Sequence, residues 1–139
     1  MIDVTSTRDI DACQSLRRTV FIDEQGVSLA EEQDGRDDDA LHLLACIDGQ
    51  PVGTARILID GSVGKIGRVC VLPAHRGKGI GAALTNAAVD LMRGRADIKQ
   101  ARLGAQLHAL AFYERLGFTA EGPEFDDGGI RHREMVQTL

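Results

Sequence analysis

A β-rich run that halts at a proline and gives way to three alternating glycines constrains this chain more than any other feature. Val69-Cys70-Val71-Leu72 reads as the end of a strand, Pro73 stops it, and Arg76-Gly77-Lys78-Gly79-Ile80-Gly81 opens a helix. Along that helix Ile80, Leu84, Ala87, Ala88 and Leu91 fall on one face, and Gly94 ends it. Glycine lets the backbone approach a ligand closely, and a helix N-terminus offers unpaired N–H groups at the positive end of its dipole. Arg76 and Lys78 place two cations there, although 16 Lys and Arg stand against 21 Asp and Glu and the net charge is −5. The plain alternative is a tight turn carrying solvated charges. Three alternating glycines at a helix start favour a loop that holds a phosphate group.

The rest of the chain supplies a mixed sheet around that loop. Ile2 to Thr5 reads as a short strand, and Thr7 or Asp9 can cap a helix carrying Ile10, Cys13, Leu16, Val20 and Phe21 at helical spacing. An acidic stretch to Asp39 has no sustained period and reads as loop with a helical turn. Leu41 to Ile47, Val52 to Ile59 and Ile66 to Leu72 are β-rich, with turns at Asp48-Gly49 and Asp60-Gly61. Ile98 to Gly104 reads as a strand, Leu107 to Leu116 as a helix stopped by Gly117, and Ile130 to Thr138 as a last strand. Repeats and linkers are absent from the sequence, so residues 1–139 are expected to form a single α/β (α+β) domain.

Composition removes several function classes. The acidic balance argues against general nucleic-acid binding, which needs a basic surface. Apolar runs fall short of the roughly 18–20 residues of a membrane-spanning helix, and the first residues lack a secretory pattern, so the expectation is a cytoplasmic protein without a membrane partner. Cys13, Cys46 and Cys70 are odd in number and widely spaced, which suits a reducing compartment rather than a disulfide framework. With the four histidines they offer no metal-ligand spacing, so no metal is expected.

Which phosphate ligand the loop takes depends on spacing. A Walker A loop would need Ser or Thr where Gly79 stands. Gly77, Gly79 and Ala82 satisfy the dinucleotide pattern G-x-G-x-x-A, but four residues separate them from their strand, and Ile98 to Gly104 ends without a ribose-binding acid. Arg76, Gly79 and Gly81 satisfy [Arg/Gln]-x-x-Gly-x-[Gly/Ala] instead. About thirty residues on, Ala109, Phe112-Tyr113, Leu116 and Gly117-Phe118 follow as A-x-x-F-Y-x-x-x-G-F. Together these resemble the two signatures of the GNAT superfamily of N-acetyltransferases. Val20-Phe21-Ile22-Asp23-Glu24-Gln25, His42-Leu43-Leu44-Ala45 and Gly104-Ala105-Gln106 are similar to its small bacterial ElaA-like branch. Gln106 stands where many members of the superfamily carry Asn.

The resemblance implies a GNAT (acyl-CoA N-acyltransferase) fold, a mixed and mostly antiparallel sheet flanked by helices. It implies acetyl-CoA as co-substrate, held by Val69, Cys70 and Val71 along the pantetheine arm and by Arg76, Gly77, Lys78, Gly79, Ile80 and Gly81 at the pyrophosphate. It also implies direct transfer to a primary amine, on a small molecule or a peptide, with Tyr113 giving a proton to the departing thiolate. The family's habit and the β-rich ends of the chain make a homodimer an expectation as well. For the base that deprotonates the amine, Glu24, His42, His108 and His132 are all candidates, and Glu24 is preferred because it ends the first helix. The acids Asp23, Glu24, Glu31, Glu32, Asp34, Asp37, Asp38 and Asp39, crowded into seventeen residues, read either as a solvated loop or as a negative rim attracting a cationic acceptor. A non-catalytic acetyl-CoA-binding sensor is the alternative function, and a dinucleotide oxidoreductase stands behind both.

Overall fold

The computed structural model describes residues 2–139. Its strands are β1 (Ile2–Thr7), β2 (Leu41–Ile47), β3 (Gln50–Asp60), β4 (Val63–Val71), β5 (Gln100–Gln106), β6 (Thr119–Asp127) and β7 (Ile130–Thr138). They form one sheet in the order β1-β2-β3-β4-β5-β7-β6. Every neighbouring pair is antiparallel except β4 and β5, which run parallel. The mixed, mostly antiparallel sheet expected from the sequence is therefore present. Asp48 and Gly49 both take positive φ at the β2–β3 hairpin, as a two-residue type I′ turn requires.

Helices cover both faces. On one face lies α3 (Ile80–Arg93), whose Leu84 and Met92 meet Ala45, Val52, Ile57, Leu103 and Met135 in the main core. On the other lies α1 (Ile10–Arg17), capped by Asp9, whose carboxylate accepts from the Ala12 N–H at 3.1 Å. It continues as a π-helical turn over Arg18–Glu24, and Leu16 and Val20 pack on Cys70. Two short helices, α2 (Leu29–Glu32) and α4 (Leu110–Arg115), complete the set. Among the described residues, no helix is long and apolar enough to cross a membrane.

One strand escapes the sequence reading. β6 is an edge strand with eight of its nine residues exposed, so it carries no alternating apolar face, and Gly122-Pro123 interrupts it. Pairing with β7, shifted between Glu121 and Phe125, makes it a strand.

The acidic stretch is more than a solvated loop: Glu32 and Asp37 are buried, and with Asp34 they pair with arginines. Arg17, 1% exposed, grips the Glu32 carboxylate at 2.9–3.1 Å and donates to Asp37 at 2.8 Å. Arg56, 3% exposed, donates to Asp37 at 3.1 Å and pairs with Asp34 at 2.8 Å. Arg68, at positive φ in a bulge of β4, turns back to Glu32 at 2.9 Å. Three acids of the segment thus neutralise three arginines from α1, β3 and β4, pinning the segment after α1 onto the sheet. Asp23, Glu31, Asp38 and Asp39 remain exposed and without ion-pair partners among the described residues.

Hydrogen bonds from Arg56 hold the Asp34 carboxyl down at about 2, below its ordinary 3.8. Burial alone would raise Asp37, but donors from Arg17, Gln14 and Arg56 outweigh it and hold it below 3.8 as well. Depressed folded values mean that this stabilisation is complete above about pH 4 and drains away as the pH falls toward 2. Removing Asp37 leaves two buried guanidinium groups short of a partner, and Asp37→Ala should cost about 3–5 kcal/mol in urea unfolding at pH 7. The gap between variant and wild type should shrink toward pH 2; a pH-independent gap would mean that lost packing, not charge, is being measured.

Candidate active site

Hydrogen bonding between β4 and β5 lasts for only three residue pairs, Val63–Gln100, Gly64–Ala101 and Lys65–Arg102. Beyond Lys65 the two strands part, and β4 runs on to Val71 without β5 beside it. A cleft of about 400 Å³ lies against that free end. Val69, Cys70 and Val71 form one wall, Arg76, Gly77, Gly79, Ile80 and Gly81 another, and Phe112 of α4 closes the side.

The loop between β4 and α3 makes the cleft's most polar surface. A 3₁₀ turn over Pro73–His75 lifts the chain off the strand, and Gly77 and Gly79 then take φ of +80° and +79°. Residues with a Cβ are strained there, which accounts for two of the glycines. Gly79 is the N-cap of α3, and the next intrahelical bond is Ala83 N–H to the Gly79 carbonyl at 3.0 Å. The six N–H groups from Gly77 to Ala82 have no acceptor among the described residues. Six adjacent donors at the positive end of a fourteen-residue helix form an anion cradle.

Two sequence candidates are joined directly. Arg76 donates from Nη1 and Nη2 to the two Glu24 carboxylate oxygens at 2.7 and 2.6 Å, and from Nε to the Val71 carbonyl at 3.1 Å. Its fork therefore bridges the end of the π-helical turn and the end of β4 across the cleft mouth. The Arg76 guanidinium holds the Glu24 carboxyl below its ordinary value. Lys78 turns away to the His75 ring at 3.4 Å and does not line the cleft.

Tyr113 lies on the α3 side, edge-on to Phe112 at 5.0 Å and to Phe118 at 6.2 Å. Burial pushes its phenol up, so it stays protonated at neutral pH. Phe112, not Tyr113, reaches the cleft wall, and Val20 and Gln25 join it from the π-helical segment. The sequence pointed to none of these three as lining; their signal was adjacency to Tyr113 and Glu24. His42 is sealed, with Nε2 on the Asp37 carbonyl at 2.9 Å and Nδ1 buried without a partner.

Cys70 is the other reactive group on the wall. Burial pushes its thiol up to about 12, and burial raises Cys13 too. A thiol held protonated is a poor nucleophile. Among the described residues, no group of three His, Cys, Asp or Glu side chains is placed to hold a metal.

A parted pair of parallel strands beside a glycine-rich anion cradle is the architecture of an acyl-CoA N-acyltransferase, and the comparisons agree. The family model for the acetyltransferase (GNAT) domain matches residues 10–139. The chain is 34% identical over 125 residues to YjcF of Bacillus subtilis (strain 168), named an uncharacterized N-acetyltransferase, covering 88% of this chain and 87% of that protein. It is 33% identical over 141 residues to ElaA of Escherichia coli (strain K12), covering 95% and 92%. The crystal structure of Escherichia coli ElaA superposes with a TM-score of 0.86 over 99% of both chains, at 30% identity. An acyl-CoA N-acyltransferase from Pseudomonas aeruginosa superposes with a TM-score of 0.87, again at 30% identity over 99% of both. The chain belongs to the GNAT family of acetyltransferases and is an acyltransferase.

The thiols offer a direct check on the wall. Iodoacetamide at pH 8 should label half-buried Cys46 and spare Cys13 and Cys70 in the folded protein, read by mass spectrometry. Fast labelling of Cys70 would show that the wall holds a thiolate.

Proposed function

We propose that the protein transfers the acetyl group of acetyl-CoA to a primary amine, on a small molecule or a peptide, by direct attack. The observation that carries this reading is the run of six free N–H groups at Gly77–Ala82, next to a strand end whose own polar backbone faces an open cleft. The donor set fits a pyrophosphate: main-chain N–H groups, a helix dipole and one movable guanidinium. The β4 edge fits an extended amide-bearing arm, since Val69 to Val71 lack a strand partner on the β5 side.

Each residue then has a chemical task. Gly77, Gly79, Ile80 and Gly81 hold the phosphates through main-chain N–H groups. Val69, Cys70 and Val71 orient the pantetheine, and an N–H near Val71 polarises the thioester carbonyl. The amine nitrogen forms a bond to the carbonyl carbon, the C–S bond breaks, and its electron pair leaves on sulfur. Tyr113, neutral at the working pH, supplies the proton that makes the thiol. Cys70, kept as a thiol, takes no acetyl group, which agrees with direct transfer.

Arg76 must trade Glu24 for phosphate if it is to take part. That exchange makes Glu24 an internal competitor of the cofactor. Glu24→Gln should lower the Kd for acetyl-CoA a few-fold and leave kcat nearly unchanged. Unchanged Kd with a collapsed kcat would instead assign Glu24 as the base.

Calorimetric titration with acetyl-CoA, with NADH as control, tests the cofactor. Micromolar binding of acetyl-CoA alone is expected, weakened about tenfold or more in an Arg76→Ala, Lys78→Ala double variant, as loss of charge-assisted hydrogen bonds to phosphate implies. Absence of binding to the wild type would remove the basis of this reading. Tyr113→Phe should keep the Kd and lower kcat about 100-fold or more. Binding without thiol release on any amine would favour the sensor.

A further inference from the structure

Four side chains compete for the role of base, and the structure leaves one of them in a form to serve. We infer that His132 takes the proton from the incoming ammonium, an inference that rests on the acetyl-transfer reading above. Glu24 gives both oxygens to Arg76 at the end of the π-helical turn, and in the exchange described above it acts as the cofactor's competitor for that guanidinium. His42 is 4% exposed and sealed under the acidic segment. His108 is exposed in a 3₁₀ turn over Leu107–Ala109, and no hydrogen bond among the described residues orients its ring.

His132 is held differently. Its Nδ1 lies 2.8 Å from the Ile130 carbonyl oxygen. A carbonyl only accepts, so Nδ1 carries the hydrogen and the neutral ring keeps its lone pair on Nε2. Phe125 stacks on the ring at 5.7 Å and 27° and fixes its plane. The Phe125 ring is itself seated over Gly104, where an added Cβ would come within 3.3 Å of it. The residue is 9% exposed, and Nε2 has no hydrogen-bond partner among the described residues.

Topology sets the ring at the sheet end where the cleft lies. His132 pairs with Gln106, the last residue of β5, and β5 runs parallel to β4, so both lie at the sheet end where β4 finishes at Val71. Ala101, Leu103 and Ala105 of β5 point into the α3 core. By alternation Gly104 and Gln106 face the opposite side, the side of α1, and their partners Glu134 and His132 face it with them. The imidazole therefore stands on β7, one strand beyond β5 from the Val71 wall, at the same end of the sheet and on the face away from the α3 helix.

Few charges surround it. Across on β6 is Phe125 and across on β5 is Gln106, neither of which titrates. On its own face of β7 the neighbour is Glu134, with Arg102 at 3.9 Å. Arg131 and Arg133 project to the other face of β7, the latter to the Gly122 carbonyl, and His108 lies in the adjoining 3₁₀ turn. In the step itself, Nε2 takes one proton from R–NH₃⁺ and later releases it to solvent. The freed lone pair forms the C–N bond, the C–S bond breaks, and Tyr113 protonates the sulfur. The second nitrogen proton lost on forming the amide restores the phenol, so the sum is amide, thiol and one proton.

His132→Asn is the variant to make, because an amide N–H can keep the bond to the Ile130 carbonyl while the basic nitrogen is gone; His132→Gln is its companion if the first folds poorly. The probes are benzylamine, spermidine and ethanolamine, which arrive as ammonium ions at pH 7.5, and aniline, which arrives neutral. Expected are unchanged acetyl-CoA affinity, a fall in kcat/KM for the three ammonium probes of about 100-fold or more, and a small loss with aniline. The acid-side inflection of the wild-type pH–rate profile should vanish. Equal losses on all four probes would overturn the inference in favour of a structural role, and no loss would overturn it outright. Both results leave acetyl transfer standing, whereas a wild type that binds acetyl-CoA yet acetylates none of the probes would overturn the inference and the transfer reading together.

Discussion

Two parallel strands that separate after three residue pairs leave one of them with an unsatisfied edge, and much of the molecule is arranged around that edge. Backbone N–H and C=O groups need partners whether or not a neighbouring strand provides them. At the free end of β4, Arg76 reaches back to the Val71 carbonyl, and the strand edge on the β5 side from Val69 to Val71 borders an open cleft. The helix that follows starts with six donors that no acceptor meets. Strand edge and helix start are two forms of the same deficit, and on the proposed reading an extended amide chain ending in a pyrophosphate would satisfy both.

Charge holds the wall opposite this edge in place. Arg17, Arg56 and Arg68 come from three elements and converge on Glu32, Asp34 and Asp37 from a segment with little regular structure of its own. Buried guanidinium groups carry a large desolvation penalty, so the paired geometry matters more than the count of pairs. One consequence is rigidity behind the π-helical turn that presents Val20 and Gln25 to the cleft. Another is that the segment's surplus negative charge, as seen from outside, is smaller than its composition implies.

Much of the candidate site was legible because its residues are contiguous in sequence. Spacing alone located Gly77, Gly79 and Gly81 at a strand-to-helix junction, since left-handed φ and close approach leave few residue choices. Tyr113 was legible from its signature, but its burial beside Phe112 and Phe118 was not, because it depends on where α4 docks. The acidic stretch misled for a related reason: the partners of Glu32, Asp34 and Asp37 stand up to 36 residues away in sequence, and no local pattern announces such pairs. β6 was silent because an exposed edge strand has no apolar alternation to betray it.

By itself, then, the amino-acid order determined the elements whose stability is local: the amphipathic α3, the capped α1, the Asp48-Gly49 hairpin and the glycine cradle. Tertiary structure decided which groups meet. It parted β4 from β5, gave Arg76 to Glu24, sealed His42 and set His132 of β7 opposite the last residue of β5. These outcomes hang on strand register and helix docking, and those are set by the whole buried core rather than by any stretch of neighbours.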